Sequence, residues 1–352
     1  MIRTPLFTTT ARATRNVRIA TSVLIAFLSL FAFGAYLVLE ATTAALRSAA
    51  TPLSGTDILQ PALAQPFPIS VDPPNRQIVH SEDIEAAVQT FATPHLSTRT
   101  QDRWLDHLLA RIGTQTWFQT IATPSTRIIV VFPGERKEQI AYNVGQVLHW
   151  STEEQATFLR EVTSRPPAFP EGTLFPGRYV VAVDASPIYV ANLIHDRFTR
   201  TVLERYPDEL EQQVSLIDTL TLASLLERES YHFSEMRVIA GIIWNRLFQD
   251  KRLQIDATLQ YAKVNERGAT GPWWPVPLPA DKFIDSPFNT YQHSGLPPAP
   301  IANPSVASIL AALNPLPTNC LFYFHDRHGG FHCSETYEQH VQGIRIHYGQ
   351  TQ

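Results

Sequence analysis

The sequence predicts an α+β protein, mainly helical with a few short strands, set behind one membrane-spanning segment. Three observations carry this expectation. Apolar residues recur at helical spacing from Ile140 to Leu148, Ile188 to Leu203, Val214 to Leu226, Val238 to Leu247 and Val306 to Leu313. Two short β-rich regions stand apart from them. One is Arg127 to Phe132; the other is Leu321 to His325 with Gly330 to Cys333, flanking a turn at 326–329. Finally, an arginine-bearing start precedes an uncharged apolar run from Ile19 to Leu39.

Residues 1–18 carry Arg3, Arg12, Arg15 and Arg18 and no acidic residue, and read as a cytoplasmic basic tail. Residues 19–39 match the roughly 20 apolar residues that cross a bilayer. The basic flank stays inside, so the remainder is expected outside the cytoplasm, anchored to the inner membrane by one pass. A cleaved signal peptide is the competing reading, but its apolar region is usually about 7–15 residues. Residues 40–79, with Pro52, Pro61, Pro66, Pro68, Pro73 and Pro74, read as a stem. Residues 80–126 form a helical region of unassigned role, with a stripe of Trp104, Leu105, Leu108, Leu109 and Ile112.

From residue 127 the chain reads as strand, Pro133-Gly134 turn and two helices, the second opened by Ser151 with Glu154 at the capping-box position. Residues 170–179 form a turn-rich connector, and 181–345 a larger helical domain. There Ser234 and Asn303 are expected N-caps, the latter with Pro304 at the first helical position. Residues 264–283, with Trp273 and Trp274, read as a loop. Those rings suit either stacking on sugar faces or plugging the core.

The helix from Val214 ends in Glu227-Arg228-Glu229-Ser230. Glu229 follows Leu225 by four residues and Leu226 by three, which puts its carboxyl at the edge of the apolar face. Glu227 points elsewhere. A half-desolvated carboxyl has a raised pKa and can donate a proton. An ordinary solvated Glu at a helix end fits the local sequence too. Arg246 lies on the core side of the next helix and is expected to pair with Asp256 or Glu229.

Beyond this helix, ordered motifs follow: Asn245-Arg246-Leu247, Leu253-Gln254-Ile255-Asp256, Phe288-Asn289-Thr290-Tyr291, and Gly295 to Pro304. Together with Glu227 to Ser230 they resemble the MltG-type (YceG-like) endolytic murein transglycosylases over roughly residues 127–343. The chain differs in having Asp256-Ala257 where the family has Asp-Pro, and Phe288 in place of a Tyr. The resemblance implies a small LysM-like module at 127–180 and a lysozyme-like α+β catalytic domain. It implies a lyase that cuts the bond between N-acetylmuramic acid and N-acetylglucosamine in peptidoglycan glycan strands, leaves 1,6-anhydro ends and limits nascent strand length. Glu229 would be the proton donor. Ser230, Asn245, Arg246, Gln254, Asp256, Asn289, Thr290, Tyr291 and Asn303 would bind substrate. The implied partners are glycan strands, the membrane, and penicillin-binding proteins of the elongation or division machinery.

Two alternatives remain at this level: a hydrolytic muramidase, or a non-catalytic glycan-binding scaffold of the synthesis machinery. Product analysis separates the first, and binding without cleavage marks the second. A net charge of −4 over 352 residues implies no nucleic-acid partner. No cofactor is expected. The histidines near Cys333 lie on alternating hairpin faces without ligand spacing, so no metal is expected either. Cys320 and Cys333 fall close across the hairpin, and a disulfide between them is possible in an oxidising compartment. The charge asymmetry around residues 19–39 generates a test of topology: a reporter fused after Gln352 should be active only if it works outside the cytoplasm. Cytoplasmic activity would remove the murein reading with it.

Overall fold

The computed structural model describes residues 65–96, 125–268 and 271–349. The expected membrane span at 19–39 and the Trp104–Ile112 stripe lie outside them. Among the described residues no helix is long and apolar enough to cross a membrane.

Two apolar cores are packed side by side. The smaller belongs to a βααβ unit. Strand β3 (Thr126–Val131) leads through the Pro133-Gly134 turn into α2 (Lys137–Leu148) and α3 (Thr152–Ser164). The chain then returns as β4 (Gly177–Ala182), antiparallel to β3, with Val130 opposite Arg178 and Ile128 opposite Val180. Alternation along β3 buries Ile129 and Val131 against Ile140, Val144 and Leu148 of α2. The capping box forms as expected: Ser151 Oγ accepts from Glu154 N–H at 3.2 Å, and Ser151 N–H donates to the Glu154 carboxylate at 2.8 Å. The sequence reading stopped at two helices. The closing strand was hidden inside the connector because its partner lies about fifty residues upstream and no local signal announces the pairing. Helix α4 (Pro187–Thr201) covers this core with Val190, Ala191 and Ile194, while Phe198 enters the larger one.

The larger core is helical. After α5 (Asp208–Gln213), helix α6 (Leu216–Glu229) runs through its centre, with Leu220, Leu222, Leu225 and Leu226 fully buried. Such a helix is apolar around most of its circumference and must be covered on all sides. Helices α7 (Phe233–Phe248), α8 (Asp256–Arg267) and α9 (Val306–Leu313) supply that cover. A hairpin, β5 (Phe322–His325) and β6 (Phe331–Ser334), closes one edge and is covered by α10 (Tyr337–Tyr348). Cys320 and Cys333 are joined by a disulfide.

Several expectations are corrected here. Residues 65–79 are not a free stem. They form β1 (Val71–Asp72) and β2 (Gln77–Ile78), and bury Phe67 and Val71 in the larger core. Ser70 N–H donates to the Leu313 carbonyl at 3.0 Å, so the mini-hairpin is hydrogen-bonded to α9. Part of the 80–126 region, α1 (Glu82–Leu96), also docks there. Both Glu85 oxygens accept from Arg237, at 2.9 and 2.7 Å, and this pairing takes the Glu85 pKa down to about 2. Helix α7 starts at Phe233 with no side-chain cap, not at Ser234. Helix α9 is capped by Ser305, whose Oγ accepts from Ser308 N–H, because Asn303 is engaged elsewhere. Helix α8 was not foreseen, and it takes in residues read as the start of the 264–283 loop.

Gly241 marks a tight backbone crossing. A Cβ built there would sit 2.3 Å from the Leu316 carbonyl oxygen, a backbone atom held by Leu316 N–H donating to the Arg237 carbonyl at 2.9 Å. Gly241→Ala should therefore destabilise the protein by about 1–3 kcal/mol through overpacking, read as a lower denaturant midpoint with an unchanged slope. An unaltered midpoint would show that the Leu316 segment gives way freely.

Candidate active site

Glu229 is the last residue of α6, where the helix leaves the core. The preceding acidic residue, Glu227, is buried, and one of its oxygens accepts from both the N–H and the Oγ of Ser305, at 3.0 and 2.8 Å. Glu227 thus fastens the start of α9 to the end of α6. Two positions on, Glu229 faces the other way, toward the hairpin. Its Oε2 accepts from the Tyr323 hydroxyl at 2.9 Å. Glu229 is half-buried, and desolvation raises its pKa above the ordinary carboxylate value. The Tyr323 hydrogen bond opposes that shift, the negative charge of Asp256 adds to it, and His325 and Arg228 oppose it again. The balance is a carboxyl held toward its protonated form at the rim of a core, within electrostatic reach of a second carboxylate.

The residues expected to touch substrate divide into two groups. Gln254 and Asp256 are exposed and Tyr291 is half-buried. Tyr291 donates its hydroxyl to Asp256 Oδ1 at 2.7 Å. Gln254 has φ +54°, and its Oε1 accepts from Arg246 Nη2 at 2.8 Å. These side chains lie at the N-terminal end of α8 and the loop beside it, and can meet a ligand lying across Glu229.

The others are held by the protein itself. Asn289 is fully buried. Its amide donates to the Lys282 and Ile284 carbonyls, and its Oδ1 accepts from Tyr291 N–H. Thr290 Oγ1 accepts from Ile255 N–H at 3.0 Å and pairs with the Thr258 hydroxyl at 2.9 Å. Asn303 is fully buried between the two cores: Oδ1 accepts from Gly172 and Leu174 N–H, and Nδ2 donates to the Glu135 carbonyl. Ser230 is buried and donates to Glu235. Asn245 donates to the Thr318 and Cys320 carbonyls. Of these five side chains, Ser230, Asn289, Thr290 and Asn303 are buried and Asn245 is half-buried, and each spends hydrogen bonds on partners within the protein. The pairing expected of Arg246 is corrected. It donates to the Arg252 and Leu321 carbonyls as well as Gln254, and pairs with neither Asp256 nor Glu229.

The reading of the sequence missed Tyr323. A Phe-Tyr-Phe run carries no mark of which face meets α6. Only the hairpin's packing decides it: Tyr323 and His325 face α6 and α7, while Phe322 and Phe324 face α10. His325 Nε2 lies 2.9 Å from Glu235 Oε1, and Glu235 in turn takes the Ser230 hydroxyl. Trp274 is half-buried under Arg228, whose guanidinium lies 4.0 Å from the ring centroid, which favours a packing role for that ring.

The chain is 33% identical over 171 residues to an endolytic murein transglycosylase of Bacillus subtilis, covering 48% of this chain and 46% of that protein. It is 27% identical over 180 residues to one of Streptococcus pneumoniae, covering 50% of this chain and 32% of that one. The matched region therefore spans from about a third to about half of the length of these curated relatives. A crystal structure of a YceG-like protein from Listeria monocytogenes superposes with a TM-score of 0.53 at 24% identity, over 74% of this chain and 94% of that one, and shows a shared fold. The YceG-like family model matches residues 104–346, which take in the smaller core, most of the larger one and Glu229; the chain belongs to the YceG-like family.

Proposed function

We propose that this protein is an endolytic lytic transglycosylase of peptidoglycan glycan strands. The observation that carries the reading is the desolvated Glu229 carboxyl at the end of α6, held by Tyr323 and flanked by Asp256, in a chain whose matched relatives are named endolytic murein transglycosylases. Protonated Glu229 gives its proton to the oxygen bridging N-acetylmuramic acid and N-acetylglucosamine, and the bond from that oxygen to C1 breaks. The neighbouring acetamido group stabilises the positive charge at C1. The carboxylate then takes the proton of the C6 hydroxyl as that oxygen bonds to C1. This closes the 1,6-anhydro ring and returns Glu229 to its starting form with no water consumed. One carboxyl serves both steps. Asp256 supports the first by disfavouring ionised Glu229, and Tyr323 supports the second by stabilising the carboxylate.

The other parts of the reading rest on separate supports. The βααβ unit serves as a LysM-like module that holds glycan, riveted by Asn303 to the active unit so that a bound strand keeps its register. The apolar run at 19–39 anchors the chain in the inner membrane with the active domain outside; the Cys320–Cys333 disulfide supports an oxidising location. Penicillin-binding proteins that make the strands are the partners this placement brings near, and cutting fresh strands limits their length.

Three substitutions test the mechanism. Wild type should release products ending in 1,6-anhydro-N-acetylmuramic acid, one water lighter than hydrolytic products by mass spectrometry. Glu229→Gln should lose about 10²–10⁴-fold or more in rate yet still bind strands. It should also melt higher than wild type at neutral and alkaline pH. There the wild-type folded state must ionise a desolvated carboxyl, a cost that vanishes as pH falls below the unfolded Glu pKa of about 4.3. Glu227→Gln should instead melt lower while its folded fraction keeps most activity, since it weakens the Ser305 contact. If Glu229→Gln cleaves normally, another group is the acid; ordinary reducing ends would make the enzyme a hydrolase. Tyr323→Phe removes the hydrogen bond that lowers the Glu229 pKa. Activity that needs protonated Glu229 declines as pH rises through that pKa, so the alkaline limb of the pH–rate profile should move to higher pH. A limb that stays in place would mean Tyr323 does not set the acid.

A further inference from the structure

Away from Glu229, on the face of the hairpin that meets α10, three side chains converge. Asp326 opens the turn, His332 lies on β6, and His347 is in the last turn of α10. His332 Nε2 is 2.8 Å from Asp326 Oδ2 and His347 Nδ1 is 3.7 Å from the same oxygen. The two imidazole centroids are 4.0 Å apart, and the three donor atoms all lie within 4.8 Å of one another. We propose that Asp326, His332 and His347 form a binding site for a divalent transition-metal ion, with Zn²⁺ the best-matched occupant.

Donor chemistry and geometry both favour this. Two imidazoles and one carboxylate suit zinc and its neighbours; calcium and magnesium prefer all-oxygen sets. Tetrahedral Zn–N and Zn–O bonds of about 2.0–2.2 Å place donor atoms about 3.3–3.5 Å apart, between the two distances observed to Asp326. The carboxylate is already oriented. Its Oδ1 accepts from the backbone N–H of His328 and Gly330, at 2.8 and 2.9 Å, which leaves Oδ2 turned toward both rings. The end of α10 is positioned independently of any metal: Arg327 donates to the Tyr348 carbonyl at 2.8 Å, and the Tyr348 hydroxyl donates to the His325 carbonyl. Three protein ligands leave a further position for water. An ion there would bind the hairpin to α10 on one face while Tyr323 and His325 of the same hairpin face the active helix on the other.

The test uses the full-length chain without a histidine tag, treated with chelator, then titrated with Zn²⁺ alone by calorimetry and with Co²⁺ by visible absorption. One equivalent per chain should bind, with Co²⁺ giving the spectrum of a low-coordinate nitrogen and oxygen set, and Zn²⁺ should raise the melting temperature. Loss of a mere second-shell partner costs about 10–100-fold in metal affinity, so His347→Ala and His332→Ala should each weaken binding by at least about 100-fold. His347 is exposed, so its replacement leaves the fold standing. His328→Ala, which keeps the backbone N–H that Asp326 uses, should bind like wild type. A wild type that takes up no stoichiometric Zn²⁺, or binding that survives His347→Ala, overturns the proposal.

Discussion

The organising constraint is the polar end of a buried helix. Helix α6 is apolar around almost its whole girth, and its last turn carries two carboxyls that the core cannot absorb unpartnered. Each is satisfied from a different direction. Glu227 takes two hydrogen bonds from Ser305 and so sets where α9 begins. Glu229 takes one from Tyr323 and so ties the end of α6 to the hairpin. The separation of these roles follows from a spacing of two residues, which turns side chains to different sides of a helix.

Much of the polar inventory around Glu229 serves to hold loops. Asn289 and Thr290 close the loop that brings Tyr291 to Asp256, and Asn245 and Arg246 grip the strand approaching the hairpin through its carbonyls. Asn303 does the same between the two cores, with both faces of one amide used on backbone groups from opposite sides of the junction. Nearby, Glu171 is enclosed with Lys137, whose N–H and ammonium both reach it, yet burial still takes the Glu171 pKa up to about 7. Directional pairs across so polar a junction make the relation between the βααβ unit and the larger helical unit specific.

The hairpin links features that are far apart in sequence. Its inner face supplies Tyr323 to Glu229 and His325 to Glu235, and its outer face receives α10 through Phe322, Phe324 and His332. The disulfide ties β6 to the residue leading into β5, which restricts fraying of the strand that carries Tyr323. A two-stranded sheet is marginal alone. Here helices on both sides and one covalent link hold it.

The main core helices, their apolar faces, the capping box at Ser151 and the hairpin were legible in the sequence, because periodicity and capping are local and repeat within a few residues. So were Glu229 as the carboxyl at the rim of the core and the approach of Cys320 to Cys333, since each follows from counting along one element. What the tertiary structure decided was partnership. The pairing of β3 with β4, the docking of residues 65–79, the choice of Tyr323 over its phenylalanine neighbours, and the arrival of His347 beside Asp326 all join segments with no shared local pattern. The same holds for Asn289, Thr290 and Asn303. Polar residues clustered in loops look alike whether they face a ligand or the backbone, and only the packed chain shows which of their hydrogen bonds are already taken.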